Sequence, residues 1–257
     1  MRTKLIIPLL LGCSFVLPGT AHAKELNRKF TAILSAYVKD GGVDYKSLRK
    51  DPRLKEYCDQ LAQTDPQTLP SDKARLAFWI NAYNAYTLKL ICENYPIKSI
   101  NDLSFGGLYL GTVLKKTIWD KPVALIDHQL MTLNTIEHKI IRPLFKDPRV
   151  HFALVCGARS CPPLRSEAYE EDKLDDQLND QGRRFLNSGD KNTFDPERKV
   201  AYVSSIFSWF ARDFGRQKKD LLLFLSQFVP EDIARAIKKE PGQWKIRYKA
   251  YDWSLNE

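Results

Sequence analysis

The sequence predicts an α+β fold: a helix-rich single domain around a small, mostly antiparallel sheet, with one long buried helix at its centre. Segments with apolar residues at helical spacing outnumber the short β-branched runs, and those runs are far apart along the chain. One segment, residues 76–86, is apolar on nearly all sides, which is typical of a helix buried on every face. A papain-like arrangement is one form that such a fold could take. The composition, 44% hydrophobic and 28% charged, is that of an ordinary globular protein.

The first 23 residues have the layout of a secretory signal peptide. Arg2 and Lys4 precede an apolar stretch over 5–17, and small residues surround a cleavage position after Ala23. We therefore expect a periplasmic or secreted protein, with no transmembrane helix in the mature form. An uncleaved anchor is disfavoured because the apolar stretch is short. A lipoprotein signal ending at Cys13 is a further alternative, which the apolar residues after Cys13 disfavour.

The charge distribution narrows the class of ligand. The net charge is +9, and cleavage after Ala23 removes Arg2 and Lys4, which leaves +7. No basic stripe is interleaved with aromatic residues, so we expect no nucleic-acid partner. The expected ligand is a small molecule, a peptide or an envelope polymer. The sequence has no phosphate loop, dinucleotide fingerprint or His-Glu-x-x-His motif, and we expect no cofactor and no catalytic metal.

Residues 24–69 are expected to form a helical lead-in, and residues 70–255 the main domain. The lead-in contains two predicted helices, each with its own boundary signal: 26–38, ended by Gly41-Gly42, and 54–62, entered through Pro52. A loop with two prolines follows. Ser71 is then predicted to cap a long helix that runs to about Asn94, where Tyr95-Pro96 ends it.

The main domain continues with short elements separated by turn signals. Asn134 and Glu137 fit a capping box for a helix over 135–142 that Pro143 ends. The run 150–156 is short, apolar and followed by a glycine-containing turn, which is typical of a strand. The other predicted elements are strands over 112–119, 123–126 (followed by the turn Asp127-His128), 130–133, 199–203 and 244–251, and helices over 170–187, 205–214, 220–228 and 231–239.

Cys156 has the placement expected of a nucleophile. A strand would hold its side chain rigidly, and the amides of Gly157 and Ala158 in the following turn could bind a developing oxyanion. Arg159 adds positive charge that could lower the thiol pKa. Alternatively, Cys161 could form a disulfide with Cys156, which would silence the thiol or make a redox pair.

A thiolate nucleophile also needs an imidazole within hydrogen-bonding reach. We expect this general base to be His138, with Asn81 or Asn84 of the long helix orienting its ring. The alternative for the two asparagines is structural: each amide ties a neighbouring loop to the helix. In a straight strand His151 would point away from Cys156, so it is a secondary candidate. The secondary candidates are His151, Arg159 and Cys161.

These residues support two functional hypotheses. The first is an exported thiol-dependent hydrolase or acyltransferase that acts on an envelope amide or ester through Cys156 and His138. The second is a non-enzymatic binding module whose Cys, His and Asn side chains are structural and whose aromatic residues line a groove. A structural zinc is a further alternative with suitable ligand types but no standard spacing: Cys156, Cys161, His138 and His151.

Three ordered motifs resemble the domain-of-unknown-function 547 family over roughly residues 70 to 255. They are Phe-Trp-Ile-Asn-Ala-Tyr-Asn-Ala at 78–85, Thr-Ile-Glu-His-Lys-Ile-Ile-Arg at 135–142, and the stretch 148–163, which contains His151, Cys156 and Cys161. The closing residues 251–255 also resemble exported bacterial members.

The resemblance supplies no activity and no substrate, but it bears on the disulfide. It marks the positions Asn81, Asn84, His138, His151 and Cys156. Plant members linked to leucine zippers keep a cysteine matching Cys156 and need not keep one matching Cys161. This implies that a Cys156–Cys161 bond is not obligatory, and that the domain can serve as an interaction module.

Overall fold

The amino-terminal part of the protein is a group of helices joined by tight turns. The computed structural model describes residues 18–103 and 117–257. Its first four helices are α1 (Pro18–Tyr37), α2 (Tyr45–Leu48), α3 (Pro52–Ala62) and α4 (Asp72–Asn94). Helices α1 and α3 contact each other and α4, so the predicted lead-in shares the core of the main domain. The predicted cleavage position falls within α1, whereas the apolar stretch 5–17 and Cys13 lie outside the described residues.

The long central helix, α4, matches the prediction in position and burial. The Ser71 hydroxyl caps it by accepting a hydrogen bond from the Ala74 amide at 3.1 Å, and the helix ends before Tyr95. Most of its 23 residues are buried. A helix buried on all sides must satisfy its polar side chains internally, which constrains the roles of Asn81 and Asn84.

The strands form three small sheets in residues 18–103 and 117–257, where the sequence predicted one. Two are antiparallel hairpins: β1 (Val38–Lys39) with β2 (Gly42–Val43), and β3 (Pro122–Ile126) with β4 (Gln129–Thr132). In the third, β6 (Val200–Val203) pairs antiparallel with β5 (Thr193–Asp195) and parallel with β7 (Lys245–Tyr248). Each hairpin closes locally through turn residues with positive φ, so sequence neighbours pair without joining a common sheet. The α+β class is confirmed.

The predicted strand over 150–156 is wrong. Residues Pro148–Phe152 form a 3₁₀ helix, and residues 153–156 belong to no strand. A side chain of α4 takes the place of a partner strand: Asn84 Nδ2 donates to the Ala153 carbonyl, and the Val155 amide donates to Asn84 Oδ1, both at 2.9 Å. The run is apolar because it is buried in the core, which a short apolar sequence cannot distinguish from a place in a sheet.

The predicted strand over 112–119 is also wrong where it is described. Ile118–Asp120 is a 3₁₀ helix, and the Thr117 amide bonds to the Asp120 carboxylate at 2.9 Å. Residues 112–116 lie outside the described residues.

The helix that carries His138 differs from the prediction at both ends. Thr132 caps it in place of Asn134, since the Thr132 hydroxyl accepts a hydrogen bond from the Thr135 amide at 2.9 Å. The Asn134 amide instead donates to the Asp120 carboxylate. The helix runs as α5 (Leu133–Thr135), a π-helical segment (Ile136–Ile141) and α6 (Arg142–Phe145), and so continues through Pro143.

The π-helical segment directs two consecutive side chains, those of Glu137 and His138, toward the same cavity. The Arg142 amide bonds to the Glu137 carbonyl, five residues earlier, so each turn holds more residues than in an α-helix. Successive side chains are therefore rotated less far apart, and the adjacent residues Glu137 and His138 both line the same cavity. Single π turns inside helices occur frequently at functional sites.

Two hydrophobic clusters form the core, and the Pro148–Phe152 helix joins them. Val150 belongs to the cluster around α4, whereas Phe152 belongs to a second cluster around β6. The remaining helices are α7 (Leu174–Leu186), α8 (Ile206–Trp209), α9 (Ala211–Phe214), α10 (Lys218–Leu225) and α11 (Glu231–Lys239). Among the described residues, no helix combines the length and apolar character needed to cross a membrane.

Candidate functional site

A cavity of about 170 Å³ lies where the two hydrophobic clusters meet. Its wall is largely aromatic, and it contains five Glu, His and Cys side chains: Glu137, His138, His151, Cys156 and Cys161. The other lining residues are Tyr83, Trp119, Asn134, Leu154, Ile206, Trp209, Phe210, Tyr251 and Trp253. The structure therefore brings four of the predicted site residues into one cavity: His138, His151, Cys156 and Cys161.

Cys156 lines the cavity beside two hydrogen-bonding groups. Its Sγ lies 2.9 Å from Cys161 Sγ and 3.3 Å from Tyr251 Oη, and both cysteines are free thiols. The hydrogen bond with Cys161 stabilises the thiolate and lowers the pKa of Cys156, whereas burial raises the pKa of Cys161 well above its usual value. Cys156 is therefore the sulfur that ionises first, while Cys161 remains a thiol.

The turn after Cys156 is held by glycine geometry and by the carboxyl-terminal tail. Gly157 has a φ of +79°, and Ala158 forms an antiparallel bridge with Leu255. The Ala158 amide donates to the Cys156 sulfur and so helps to lower the thiol pKa directly. Arg159 is exposed and does not line the cavity. The lowered pKa of Cys156 thus comes chiefly from hydrogen bonds, where the sequence suggested Arg159.

His151 is a buried imidazole oriented by a carboxylate. It is 3% exposed, its ring stacks on Phe210 with centroids 4.1 Å apart, and its Nε2 lies 2.7 Å from Asp213 Oδ2. Burial lowers the pKa of His151, so the ring is neutral at pH 7 and its Nε2–H donates to the carboxylate. The basic lone pair is then on Nδ1, which has no hydrogen-bond partner among the described residues.

His138 accepts a hydrogen bond from Arg142, whereas His151 donates one to Asp213. Arg142 binds Asp213 through Nε at 2.6 Å and Nη2 at 2.9 Å, and its Nη1 lies 2.7 Å from His138 Nδ1. A guanidinium group only donates, so Nδ1 accepts and the neutral ring carries its proton on Nε2. Burial and then the charge of Arg142 lower the pKa of His138. With Nδ1 occupied, the neutral ring of His138 has its N–H donor at Nε2, and the role of general base stays a prediction.

Glu137, which the sequence assigned to a capping box, is a buried carboxyl group in the cavity wall. It is 9% exposed, and burial raises its pKa to about 7 against the opposing effects of Arg142 and the Tyr83 hydroxyl. Arg142, whose charge lowers this pKa, makes its ion pair with Asp213. No basic side chain in residues 18–103 or 117–257 forms an ion pair with Glu137.

Asn81 and Asn84 bond to backbone groups, and neither bonds to a histidine. Asn81 donates to the Tyr169 carbonyl and accepts from the Tyr169 amide, both at 2.9 Å. Asn84 bonds in the same way to Ala153 and Val155, the residue before Cys156. These contacts agree with the structural alternative for both asparagines. Asn84 nevertheless fixes the backbone that carries the thiol.

Asn84→Ala is expected to lower the free energy of unfolding by about 2 kcal/mol, because a buried backbone donor and a buried acceptor lose their partner. Asn94→Ala is the matched control, since the exposed Asn94 makes one bond to the Leu90 carbonyl within its own helix. We expect this control to cost less than about 0.5 kcal/mol. Urea unfolding at pH 7 measures both. Equal losses in the two variants would show that Asn84 does not fix the Cys156 segment.

Neither Asp213 nor Tyr251 was a site candidate in the sequence. They meet His151 and Cys156 from positions 62 and 95 residues away along the chain, so no spacing pattern could connect them. Arg142 follows His138 by four residues, a helical spacing that could have suggested their contact. In the described part of the chain, no group of three or more His, Cys, Asp or Glu side chains is arranged to hold a metal ion.

The comparison with known proteins identifies a family but no activity. No curated protein and no solved structure matches the chain. A family model described as "Protein of unknown function, DUF547" matches residues 66–186. The matched range contains all five Glu, His and Cys residues of the cavity, whereas Asp213 and Tyr251 lie beyond it. Through residues 66–186, which carry α4, the π-helical segment and Cys156, the chain is similar to the DUF547 family.

Proposed function

We propose that the protein is an exported thiol-dependent hydrolase or acyltransferase that acts on an envelope amide or ester. The observation that supports this proposal is the presence, in one cavity, of a thiol with a lowered pKa and an imidazole oriented by a carboxylate. A nucleophile, a base and a group that orients the base are the parts that covalent acyl transfer requires. Export rests on the signal-peptide layout of the first 23 residues.

In this proposal Cys156 Sγ attacks the substrate carbonyl carbon while its proton passes to His151 Nδ1. The carbonyl electrons move to oxygen, and the tetrahedral intermediate then collapses to a thioester as the leaving amine or alcohol takes the proton from His151. Water or a second nucleophile attacks the thioester and restores the thiol. Asp213 is a positioning residue that stabilises the imidazolium, and Arg142 holds Asp213 in place.

The oxyanion would be stabilised by hydrogen-bond donors at the cavity. His138 presents its Nε2–H because Arg142 occupies Nδ1, and the Gly157 amide directly follows the nucleophile. The Ala158 amide donates to the sulfur, so of the two amides named from the sequence we retain Gly157 for the oxyanion.

p-Nitrophenyl acetate tests the covalent step, because a thiol nucleophile releases one equivalent of p-nitrophenolate and becomes acetylated. We expect acetylation of Cys156 at pH 7.5, and none at this position in Cys156→Ala. Cys58 and Cys92 are internal controls: burial raises the pKa of each to about 12, so they should react far more slowly. Peptide mass spectrometry assigns the acetylated cysteine.

The same experiment should distinguish the roles of His138 and His151. His151→Gln is expected to slow acetylation at least tenfold, and His138→Gln to slow it less, because the basic nitrogen of His138 is occupied by Arg142. Circular dichroism shows whether each variant folds. If Cys156 is no more reactive than Cys58 in the reduced, folded protein, the hydrolase proposal is wrong.

The second candidate is a non-enzymatic binding module. It is favoured by the use of Asn81 and Asn84 for backbone contacts and by the aromatic wall of the cavity. An unreactive Cys156 in a protein that still binds ligand in the cavity would support this candidate.

A further inference from the structure

Glu137 places a negative charge at a site where the described residues provide no matching cation. Its carboxyl group is buried in the cavity wall, and Arg142, the basic side chain whose charge lowers its pKa, is bound to Asp213 through two nitrogens. A buried carboxylate without an ion pair is costly, because burial disfavours the charged form. The cavity would therefore favour a ligand that supplies a positive charge at Glu137.

The rest of the wall suits a cation that is apolar around its charge. Six aromatic rings line the cavity: Tyr83, Trp119, Trp209, Phe210, Tyr251 and Trp253. Trp209, Tyr251 and Trp253 form a contiguous cluster, with ring centroids 4.6 to 5.7 Å apart. Aromatic faces attract ammonium groups, most strongly when the groups are desolvated.

The size of the cavity limits the ligand group. Its volume of about 170 Å³ is close to that of the ~150 Å³ engineered apolar cavity that binds benzene. A group of four to six heavy atoms, such as an alkylammonium, fits such a space, whereas a whole peptide or glycan chain would have to lie mainly outside it.

We propose that this cavity binds an alkylammonium group, with Glu137 as its counter-ion and the aromatic rings as its walls. Combined with the proposed function, on which this extension rests, the substrate is an amide or ester that carries a positively charged amine close to the scissile carbonyl. The bound ammonium would also offset the negative field of Glu137, which opposes ionisation of Cys156.

n-Butylammonium and 1-butanol provide a matched pair of probes, since they share a chain and differ in charge. Trp119, Trp209 and Trp253 line the cavity, so binding can be followed by tryptophan fluorescence. At pH 8 we expect the ammonium to bind at least tenfold more tightly than the alcohol, because a hydrogen bond to a charged group is stronger than one to a neutral group. Glu137→Gln should abolish this preference and leave the binding of 1-butanol within about twofold of wild type.

The preference should also depend on pH through Glu137. Since its pKa is about 7, we expect the affinity for n-butylammonium to fall about fivefold from pH 8 to pH 6 in wild type and to stay constant in Glu137→Gln. Besides Glu137, the ionisable side chains that line the cavity are Tyr83, His138, His151, Cys156, Cys161 and Tyr251. The charges of Arg142 and Asp213 also act on Glu137. These groups are present in both wild type and Glu137→Gln, so the difference in the pH dependence of n-butylammonium affinity reports on Glu137 alone.

The control variant is Glu93→Gln, which removes the same charge from an exposed carboxylate paired with Lys89. It should bind both probes as wild type does. If n-butylammonium does not bind, binds no better than 1-butanol, or binds equally well to Glu137→Gln, the alkylammonium site is refuted.

The probes contain no carbonyl group, so their binding does not require Cys156 chemistry. Ammonium binding that persists in Cys156→Ala, together with acetylation of wild-type Cys156, would support both proposals. Ammonium binding without acetylation of Cys156 would support the cation site and refute the hydrolase proposal. Acetylation without an ammonium preference would refute the cation site alone.

Discussion

Gly157→Ala is expected to lower the free energy of unfolding by about 3 kcal/mol. Gly157 has a φ of +79°, which costs a residue with a side chain about 1 kcal/mol or more. A Cβ atom at this position would lie 2.4 Å from Ile91 Cδ1, and Ile91 is fully buried, so the surrounding core would have to repack at a cost of about 1 to 3 kcal/mol. Urea unfolding of the reduced protein measures the loss.

Gly189→Ala is the matched control for this substitution. Gly189 is exposed, and a Cβ atom there would meet nothing within 4 Å, so its effect should stay within about 0.5 kcal/mol. If Gly157→Ala is as stable as Gly189→Ala, the turn after Cys156 does not have the conformation described above.

Glu137→Gln is expected to change the pH dependence of stability by about 3 kcal/mol. Burial raises the pKa of Glu137 from 4.5 to about 7, so between these values the folded state holds a proton that the unfolded chain has released. Wild type should therefore lose stability as the pH rises from 4.5 to about 7, by roughly 1.4 kcal/mol per pKa unit, and lose no more above that range. Glutamine cannot ionise, so the variant should become progressively more stable than wild type over the same window.

Subtracting the free energy of unfolding of wild type from that of Glu137→Gln at each pH cancels the contributions of the histidines. The lowered pKa values of His138 and His151 destabilise the folded state as the pH falls below about 6.5, and this effect is present in both proteins. Glu93→Gln serves again as the control, because it removes the same charge from an exposed carboxylate outside the cavity. Parallel stability curves for wild type and Glu137→Gln between pH 4.5 and pH 8 would contradict a buried, unpaired carboxyl group.

Both large effects concern residues whose roles depend on packing. The sequence singled out Gly157 as an amide donor and Glu137 as part of a helix cap, because those interpretations follow from their immediate neighbours. The contact of Gly157 with Ile91 and the burial of Glu137 arise from elements that lie elsewhere along the chain. Local patterns cannot report such contacts, since they depend on which surfaces the fold brings together.

The choice between His138 and His151 as the proposed base also shows that local sequence patterns do not report tertiary contacts. The sequence favoured His138 over His151, on the argument that a strand would point His151 away from Cys156. Residues Pro148–Phe152 form a 3₁₀ helix, so that alternation does not apply. The role of each imidazole follows from the hydrogen bond that occupies one of its nitrogens, and those bonds come from Asp213 and Arg142.

The sequence by itself determined the helix-rich α+β class, the long buried helix with its Ser71 cap and the family motifs, whereas the choice of Cys156 as a nucleophile stays a prediction. These features rest on periodicity, capping and residue type, which act over a few neighbouring residues. Only the tertiary structure decided which side chains share the cavity, which histidine keeps a basic nitrogen free and that Glu137 is buried without an ion pair among the described residues. Hydrogen bonds and burial join groups that lie tens of residues apart, so their energies exist only after the two hydrophobic clusters have packed together.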